Sequence, residues 1–303
     1  PVEKVYEGTL KWLWEKYTGE SAKWAGYSPA TQKQQSLIMA KVLKTGGKAA
    51  VIAITQDVIQ ESLDKRHETP ALAANFLKVM RGMFGWARRM RLVQVDPTLG
   101  VQLPTYKSDG FPPWTIDDVR SFRAKHQIGT PERLAMELML LAGLRRSDVA
   151  VIGLQHIQGS ILSISTAKTG TRISIELSDE LLKMIKATPR KGLHLIESSK
   201  GKPFVKEAFG NWFKEKCTEA GVAKSAHGLR KLSATLAAEG GAGSHQLMAQ
   251  YGWTKLSTAE IYTKGVDRKR LGIEASRIVA DQIGNIKFPH PLSGEGDDAK
   301  NNS

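Results

Sequence analysis

The chain has 303 residues, enough for one large domain or for two ordinary ones, each with its own core. With 44 Lys+Arg against 30 Asp+Glu, the net charge is +14 and the pI near 9.7, which favours a polyanion such as nucleic acid as partner; a solvated basic face is the plainer alternative. Cys217 is the single cysteine, which excludes an intrachain disulfide framework and any multi-thiolate metal site, so it reads as a small buried hydrophobe.

The charge is evenly shared: residues 1–107 hold 16 Lys+Arg against 9 Asp+Glu and the remainder 28 against 21, +7 in each part. If nucleic acid is the partner, both parts touch it. No apolar run approaches a membrane span and no signal peptide precedes the first expected helix, so a cytoplasmic protein is expected. The first residue is Pro1 and not Met, from which a removed N-terminal segment is expected.

The N-terminal part reads as all-helical. Leu10, Leu13 and Trp14 begin one helix, Ser28-Pro29 is a cap and first-turn pair for a second, and Thr69-Pro70 repeats that start signal. From Asn75 to Arg91, Phe76, Val79, Met80, Met83, Phe84, Ala87 and Met90 keep helical spacing and form a core face. Arg81, Arg88 and Arg91 project elsewhere, as solvated charge or as contacts to a DNA backbone. Asp96-Pro97 stops this region, and VQLPTYKSDGFPPW, from Val101 to Trp114, combines three prolines with polar residues and no period. That stretch reads as a linker, with a domain boundary near Lys107.

Beyond it, Thr115 and Asp118 cap a helix, and Thr130-Pro131 opens another whose apolar positions run to Leu141 before Gly143. Helical spacing then gives way to alternation. Ile161, Leu162 and Ile164 precede a polar turn, Lys168-Thr169-Gly170-Thr171, and Ile173 and Ile175 follow it, a β-hairpin with Lys168 near its tip. Ser178 caps a return to helix, Phe204 to Ala220 forms a further amphipathic helix closed by Gly221, and Ser257 caps a short helix bearing Tyr262. After His290 the residues PLSGEGDDAKNNS read as a disordered tail. The expected fold is mainly α with a small β-hairpin or sheet: a helical domain over 1–107, a mixed α/β domain over 108–290 and a tail over 291–303.

One stretch, HGLRKLSATLAAEGGAGSHQLMAQYGWTKLSTAEIYTKG, carries His227, Arg230, Trp253 and Tyr262. A phenol is a poor nucleophile at neutral pH, so a reacting tyrosine needs a proton acceptor and cations to hold the anionic group it attacks. His227 and Arg230 stand three apart, one helical turn, so imidazole and guanidinium can converge. Arg145 follows Gly143 at a turn, where it can be aimed without commitment to a helix face. Together Arg145 and Arg230 could clamp the two non-bridging oxygens of a phosphodiester, since planar guanidinium forks donate bidentately and stay charged. Lys168 can be delivered from the side, and with His227 it supplies mobile protons. Taken singly, each has a plain structural reading: surface charge for Arg145, Lys168 and Arg230, a helix cap for His227, a core residue for Tyr262. Carboxylates at metal-ligand spacing are absent, so no metal is expected, and Asp117-Asp118 reads as helix N-terminal charge.

The chain resembles the tyrosine recombinases, in particular the bacterial phage-type integrases, over nearly its whole length. TPALAANFLKVMRGMFGWARRMRLVQVDPTLGV is similar to their helical core-binding domain, AGLRRSDV to the first arginine motif and AKTGTRISIEL to the hairpin lysine segment. AHGLRKLSATLAAEGG is similar to the H-x-x-R motif, and YGWTKLSTAEIYTK to the last histidine-or-tryptophan and tyrosine. The resemblance implies a core-binding domain followed by a catalytic domain. Tyr262 would attack the scissile phosphate to form a 3′-phosphotyrosyl ester, Arg145 and Arg230 would stabilise the phosphorane, Lys168 would protonate the departing 5′-oxygen and His227 would assist proton transfer. Trp253 stands where many relatives carry histidine; it can donate a hydrogen bond and pack but has no acid-base duty. Asp148 stands where glutamate is usual and is expected to orient Arg145 or a neighbour; Ala142 replaces a frequent threonine. The phosphotyrosine would conserve the energy of the broken diester, so no cofactor is implied.

The implied partners are double-stranded DNA attachment sites, a homo-tetramer in the synaptic complex and an accessory DNA-bending or directionality factor. Relatives often carry an arm-type DNA-binding module ahead of the core-binding domain; this chain starts too late to show one. Leu271, Ile273, Ile278 and Ile283 are expected on a helix that docks on a neighbouring protomer. Two rival readings are a non-catalytic DNA-binding regulator and a type IB topoisomerase that relaxes DNA.

Overall fold

The computed structural model describes residues 5–103 and 110–285, the side chains of Asp267, Lys269 and Arg270 excepted. The expected boundary at Lys107 and the expected tail at 291–303 lie outside the described residues. The chain divides into two compact units, Pro1–Ser108 and Asp109–Ser303.

The first unit is helical: α1 (Leu10–Glu20), α2 (Ala22–Ala25), α3 (Pro29–Gly46), α4 (Gln56–Asp64) and α5 (Pro70–Arg89). Side-chain caps start most of them, with Thr9, Ser21, Ser28 and Thr55 each accepting a first-turn N–H. Thr69 sits at the N-cap of α5 but makes no side-chain cap bond; Pro70, with its φ preset for the first turn, marks the start. Leu13, Tyr17, Met39, Leu63, Leu77 and Met83 fill the core, and Trp14, Tyr17 and Trp24 pack edge-on or tilted with centroids 5.0–5.9 Å apart.

The helix carrying the expected arginines ends at Arg89, ahead of Asp96-Pro97. Arg91 adopts φ 59°, in the left-handed region, while Leu92 N donates to Ala87 O at 2.9 Å and Arg91 N to Arg88 O at 3.1 Å. This pair of bonds is a Schellman stop with arginine where glycine is usual. Asp96 instead builds the next turn, its Oδ1 accepting from Thr98 N at 2.9 Å and from Thr98 Oγ1 at 2.6 Å. The two ends of the expected linker are also built into their units. Val101 is buried in the first core, and Trp114 is buried in the second, its Nε1 donating to Ser225 O at 3.0 Å.

The second unit runs α6 (Ile116–Lys125), α7 (Pro131–Leu140), α8 (Arg146–Val149), β1 (Ile157–Gln158), β2 (Ile161–Ser165), β3 (Arg172–Glu176), α9 (Asp179–Ala187), α10 (Lys206–Glu219), α11 (Ala226–Glu239), α12 (Ser244–Tyr251) and α13 (Leu256–Gly284). The expected Thr115–Asp118 capping box opens α6, Thr130 caps α7 and Ser178 caps α9. The antiparallel sheet has the order β1-β2-β3, one strand more than the expected hairpin, because β1 is only two residues long and carries no alternation. Leu162 pairs with Ile175 and Ile164 with Ile173 on the buried face, while Ser163 and Ser174 pair outward.

Helix α7 runs through the middle of this core, buried from Arg133 to Leu140. Its one buried carboxylate, Glu137, accepts from Arg123 Nε and Nη2, each at 2.9 Å, and from Arg133 Nε at 2.6 Å. Two guanidinium groups thus compensate a charge that would otherwise be prohibitive inside. Cys217 is buried, as its solitary position implied, and burial pushes its thiol up to about 12.

Helix α13 departs from expectation. Lys255, not Ser257, occupies its N-cap without a side-chain bond, and the helix is 29 residues long instead of short. Every described side chain from Leu271 to Asn285 is exposed. Among the described residues no helix is long and apolar enough to cross a membrane.

Candidate active site

Helix α7 delivers the chain to Gly143, whose φ of +62° turns it sharply. A Cβ there would also overlap the Tyr251 ring, so glycine is needed for conformation and for space. The turn leaves Arg145 at the N-cap of α8, half-buried. Arg145 Nη2 donates to Gly252 O at 3.5 Å; its Nη1 is buried without a hydrogen-bond partner. Burial lowers the Arg145 pKa and nearby Asp148 opposes that shift.

Asp148 is buried on α8, and its Oδ1 accepts from Ala167 N at 2.9 Å. The other oxygen, Oδ2, is buried without a hydrogen-bond partner among the described residues, and the influence of Asp148 on Arg145 is through charge. The Oδ1 bond ties the β2–β3 turn to the segment carrying Arg145. Lys168 sits on that turn, exposed at the expected tip, and the hydroxyls of Thr166, Thr169 and Thr171 brace the turn through contacts of 2.8 and 2.9 Å.

Helix α11 begins with Ser225 as cap and presents His227 and Arg230 one turn apart. Arg230 is 5% exposed, Nη1 donating to Gly143 O and Nη2 to Tyr251 O. Burial, then Arg145, brings its pKa down to about 9, which leaves it charged at neutral pH. Tyr251 O and Gly252 O are consecutive carbonyls, so one corner after α12 braces both arginines. His227 reaches the surface, and partial desolvation first, then Lys231, Arg230, Lys168 and Arg145, lower its pKa, which favours the neutral imidazole that can accept a proton. The edge of Phe111 packs on it with centroids 5.3 Å apart.

Tyr262 lies on the second turn of α13, half-buried. Its ring stacks on Trp253 with centroids 5.4 Å apart and planes 10° off parallel, and Trp253 stacks on Tyr251 at 4.9 Å and 20°. Trp253 therefore packs as expected, and no hydrogen bond from its Nε1 is present among the described residues. Burial raises the Tyr262 pKa while Arg230 pulls the other way, so the phenol is protonated at neutral pH.

The structure thus brings Arg145, Asp148, Lys168, His227, Arg230, Trp253 and Tyr262 together within the second unit. Sequence reasoning missed Lys231, Ser233 and Tyr251. Lys231 stands four residues after His227, on the same helix face, which was a usable signal. Ser233 and Tyr251 look like ordinary core positions until the fold joins them. Arg81, Arg88 and Arg91 belong to the first unit: Arg81 Nη2 donates to Val101 O at 2.9 Å, and Arg88 and Arg91 are exposed. Among the described residues no group of three or more His, Cys, Asp or Glu side chains could hold a metal ion.

A buried arginine beside a half-buried one, a lysine on a hairpin turn, a histidine one turn before the buried arginine and a tyrosine two helices on define the class of the tyrosine recombinases. The chain belongs to the phage integrase family, whose model matches residues 116–268, half of its length. It is an enzyme that cleaves and rejoins DNA strands, and site-specific recombination is its class of reaction. Its sequence is 26% identical over 239 residues to the tyrosine recombinase XerD of Pseudomonas aeruginosa, covering 72% of this chain and 80% of that one. It is also 26% identical over 212 residues to XerD of Pseudomonas putida, covering 64% of this chain and 71% of the relative.

The fold matches that of the lambda integrase fragment 75–356, a dimer bound to a COC′ core site. The TM-score is 0.75 and the identity 19%, over 84% of this chain and 95% of that chain. The lambda integrase tetramer bound to a Holliday junction matches with a TM-score of 0.70 at 20% identity, over 83% and 77%. The Tn1549 transposon integrase in complex with transposon right end DNA gives 0.70 at 13% identity, over 87% and 99%.

Proposed function

We propose that this enzyme recombines double-stranded DNA attachment sites through a 3′-phosphotyrosyl intermediate and integrates or excises a phage or genomic island. The observation that carries the reading is Arg145 Nη1, a charged donor buried without a partner beside the Arg230 guanidinium. Such a donor is costly unless an anion completes it, and a phosphodiester with two non-bridging oxygens suits two guanidinium forks.

In this mechanism Tyr262 Oη bonds to phosphorus as the bond to the 5′-oxygen breaks. His227, neutral, accepts the phenolic proton directly or through water, and Lys168 gives a proton to the departing 5′-oxygen. Arg145 and Arg230 stabilise the extra charge on the pentacoordinate phosphorus. Attack by a free 5′-hydroxyl on the phosphotyrosine reverses each transfer and seals the strand. The first unit, Pro1–Ser108, acts as a core-binding domain, with Arg88 and Arg91 free to reach phosphates and Arg81 contributing through the nitrogen not held by Val101. Four protomers assemble on two sites, a reading supported by the DNA-bound dimer and tetramer of lambda integrase, and the reaction takes place in the cytoplasm.

A duplex nicked next to the cleavage point tests the chemistry, because the short strand diffuses away and traps the intermediate. Wild-type protein is expected to accumulate a covalent adduct that maps to Tyr262, and Tyr262→Phe to form none. Identical behaviour of the two proteins would overturn the reading. Relaxation of plasmids lacking any recognition site would point instead to topoisomerase activity.

A further inference from the structure

The corner Tyr251-Gly252 does more than connect α12 to Trp253. Tyr251 is fully buried, and its hydroxyl, ring and carbonyl are all engaged. Its hydroxyl meets Ser233 Oγ at 2.7 Å, and Ser233 Oγ donates to Leu140 O at 2.6 Å, at the end of α7. Its ring fills the space that Gly143 leaves open and carries Trp253, which in turn carries Tyr262. Its carbonyl accepts Arg230 Nη2, and the Arg230 guanidinium also lies over the ring, 5.0 Å from the centroid. Gly252, φ +57°, lies against Thr166 and Ile173 at the base of the hairpin that bears Lys168.

We infer that Tyr251, held by Ser233, is a positioning residue for strand cleavage: it sets the Arg230 fork and the Trp253–Tyr262 stack from one rigid point. The inference rests on the recombinase chemistry proposed above, in which Arg230 and Tyr262 meet one phosphate. A smaller aliphatic side chain at 251 would fill part of the volume, but it would give Trp253 no flat surface, leave Ser233 without its hydroxyl partner and leave the space beside Gly143 underfilled. Stacked rings fix one another's plane, and bonds to the hydroxyl fix rotation within that plane. Misplacing a nucleophile by about 1 Å can cost on the order of 100-fold in rate.

The test measures the single-turnover rate of covalent adduct formation on the nicked duplex, with DNA affinity and Tm determined in parallel. Tyr251→Leu is expected to slow adduct formation by about 10- to 100-fold while DNA affinity stays within about 3-fold. Tyr251→Phe, which keeps the ring and loses only the hydroxyl, is expected to restore most of that rate. Ser233→Ala, which leaves the Tyr251 hydroxyl unpaired, should be less stable than the double variant Ser233→Ala/Tyr251→Phe, in which neither polar group is stranded. Wild-type rate in Tyr251→Leu would overturn the inference, as would equal slowing of the Leu and Phe variants with loss of DNA binding to match. Failure of the wild-type protein to form any Tyr262 adduct would instead overturn the chemistry beneath it.

Discussion

The Asp148 carboxylate accepts the backbone N–H of Ala167 at 2.9 Å, joining the segment that carries Arg145 to the turn that carries Lys168. The residue before the lysine is thereby fixed, although the lysine itself is exposed. Asp148→Ala is expected to lower stability by about 1–3 kcal/mol, the cost of stranding a buried donor, and to slow cleavage, while Asp148→Asn, which keeps an acceptor, should lose less. A substrate with sulfur in place of the bridging 5′-oxygen checks the route of the effect, because a thiolate leaves without a proton. If Lys168 is the proton donor, that substrate should rescue Asp148→Ala and Lys168→Ala alike; rescue of neither would remove Asp148 from the placement of the acid.

Four cations face His227, Arg145 and Lys168 from the turns and Arg230 and Lys231 from its own helix, and with burial they hold its pKa below the usual value. The unfolded chain therefore takes up this proton first. Its contribution to stability is complete above about pH 6.5 and is lost as pH falls toward the depressed folded value. A phosphodiester bound among the same cations cancels part of their field and raises the pKa. DNA binding near pH 6 should then be accompanied by proton uptake, read by calorimetry in buffers of different ionisation enthalpy. His227→Gln should abolish that uptake, and an unchanged uptake in the variant would assign the proton elsewhere.

Much of this site is legible in the sequence because its parts obey local rules. The hairpin announces itself by alternation around Lys168-Thr169-Gly170-Thr171, and His227 and Arg230 by their spacing on a capped helix. Arg145 is readable from Gly143, since a left-handed glycine ends a helix and frees the residues after it. What local rules cannot give is the contact between distant segments. Nothing around Ser233 or Tyr251 indicates that a serine on α11 and a tyrosine ending α12 share a hydrogen bond, or that Gly143 must yield room to that same ring. Asp148 is visible as a charge near Arg145, yet its partner is a backbone N–H nineteen residues on. The continuity of α13 was missed for a related reason: a short helix bearing Tyr262 and a helix carrying Leu271 to Ile283 are each legible, but no local signal says that they are one.

Arg91 offers a test that separates fold from DNA contact. It holds φ 59° at the Schellman stop after α5, a conformation that costs an L-residue with a Cβ more than glycine. Arg91→Gly is expected to raise stability of the first unit by about 0.5–1 kcal/mol. If the exposed guanidinium also pairs with a phosphate, the same variant should bind DNA less tightly and reduce the salt dependence of binding by about one counterion. Denaturant unfolding and binding titrations across salt read the two effects independently. Greater stability with unchanged affinity would strike Arg91 from the DNA-binding set; lower stability would mean its side chain holds the turn.

Beyond Tyr262, α13 continues to Gly284 with no core of its own chain against its second half. Leu271, Ile278, Val279 and Ile283 share one face at helical spacing, and all are exposed. A strip of that kind is an unpaid cost for a monomer, and in the proposed assembly a neighbouring protomer would cover it. Because Tyr262 and the strip lie on one continuous helix, docking would constrain the nucleophile, so that cleavage competence and assembly are coupled. Removing residues 267–303 should leave binding to a single half-site within a few-fold of wild type while abolishing cooperative occupancy of a full site. Gel-shift titrations on one and two half-sites measure both quantities. Equal loss on the two substrates would show that the helix supports its own domain and not its neighbour.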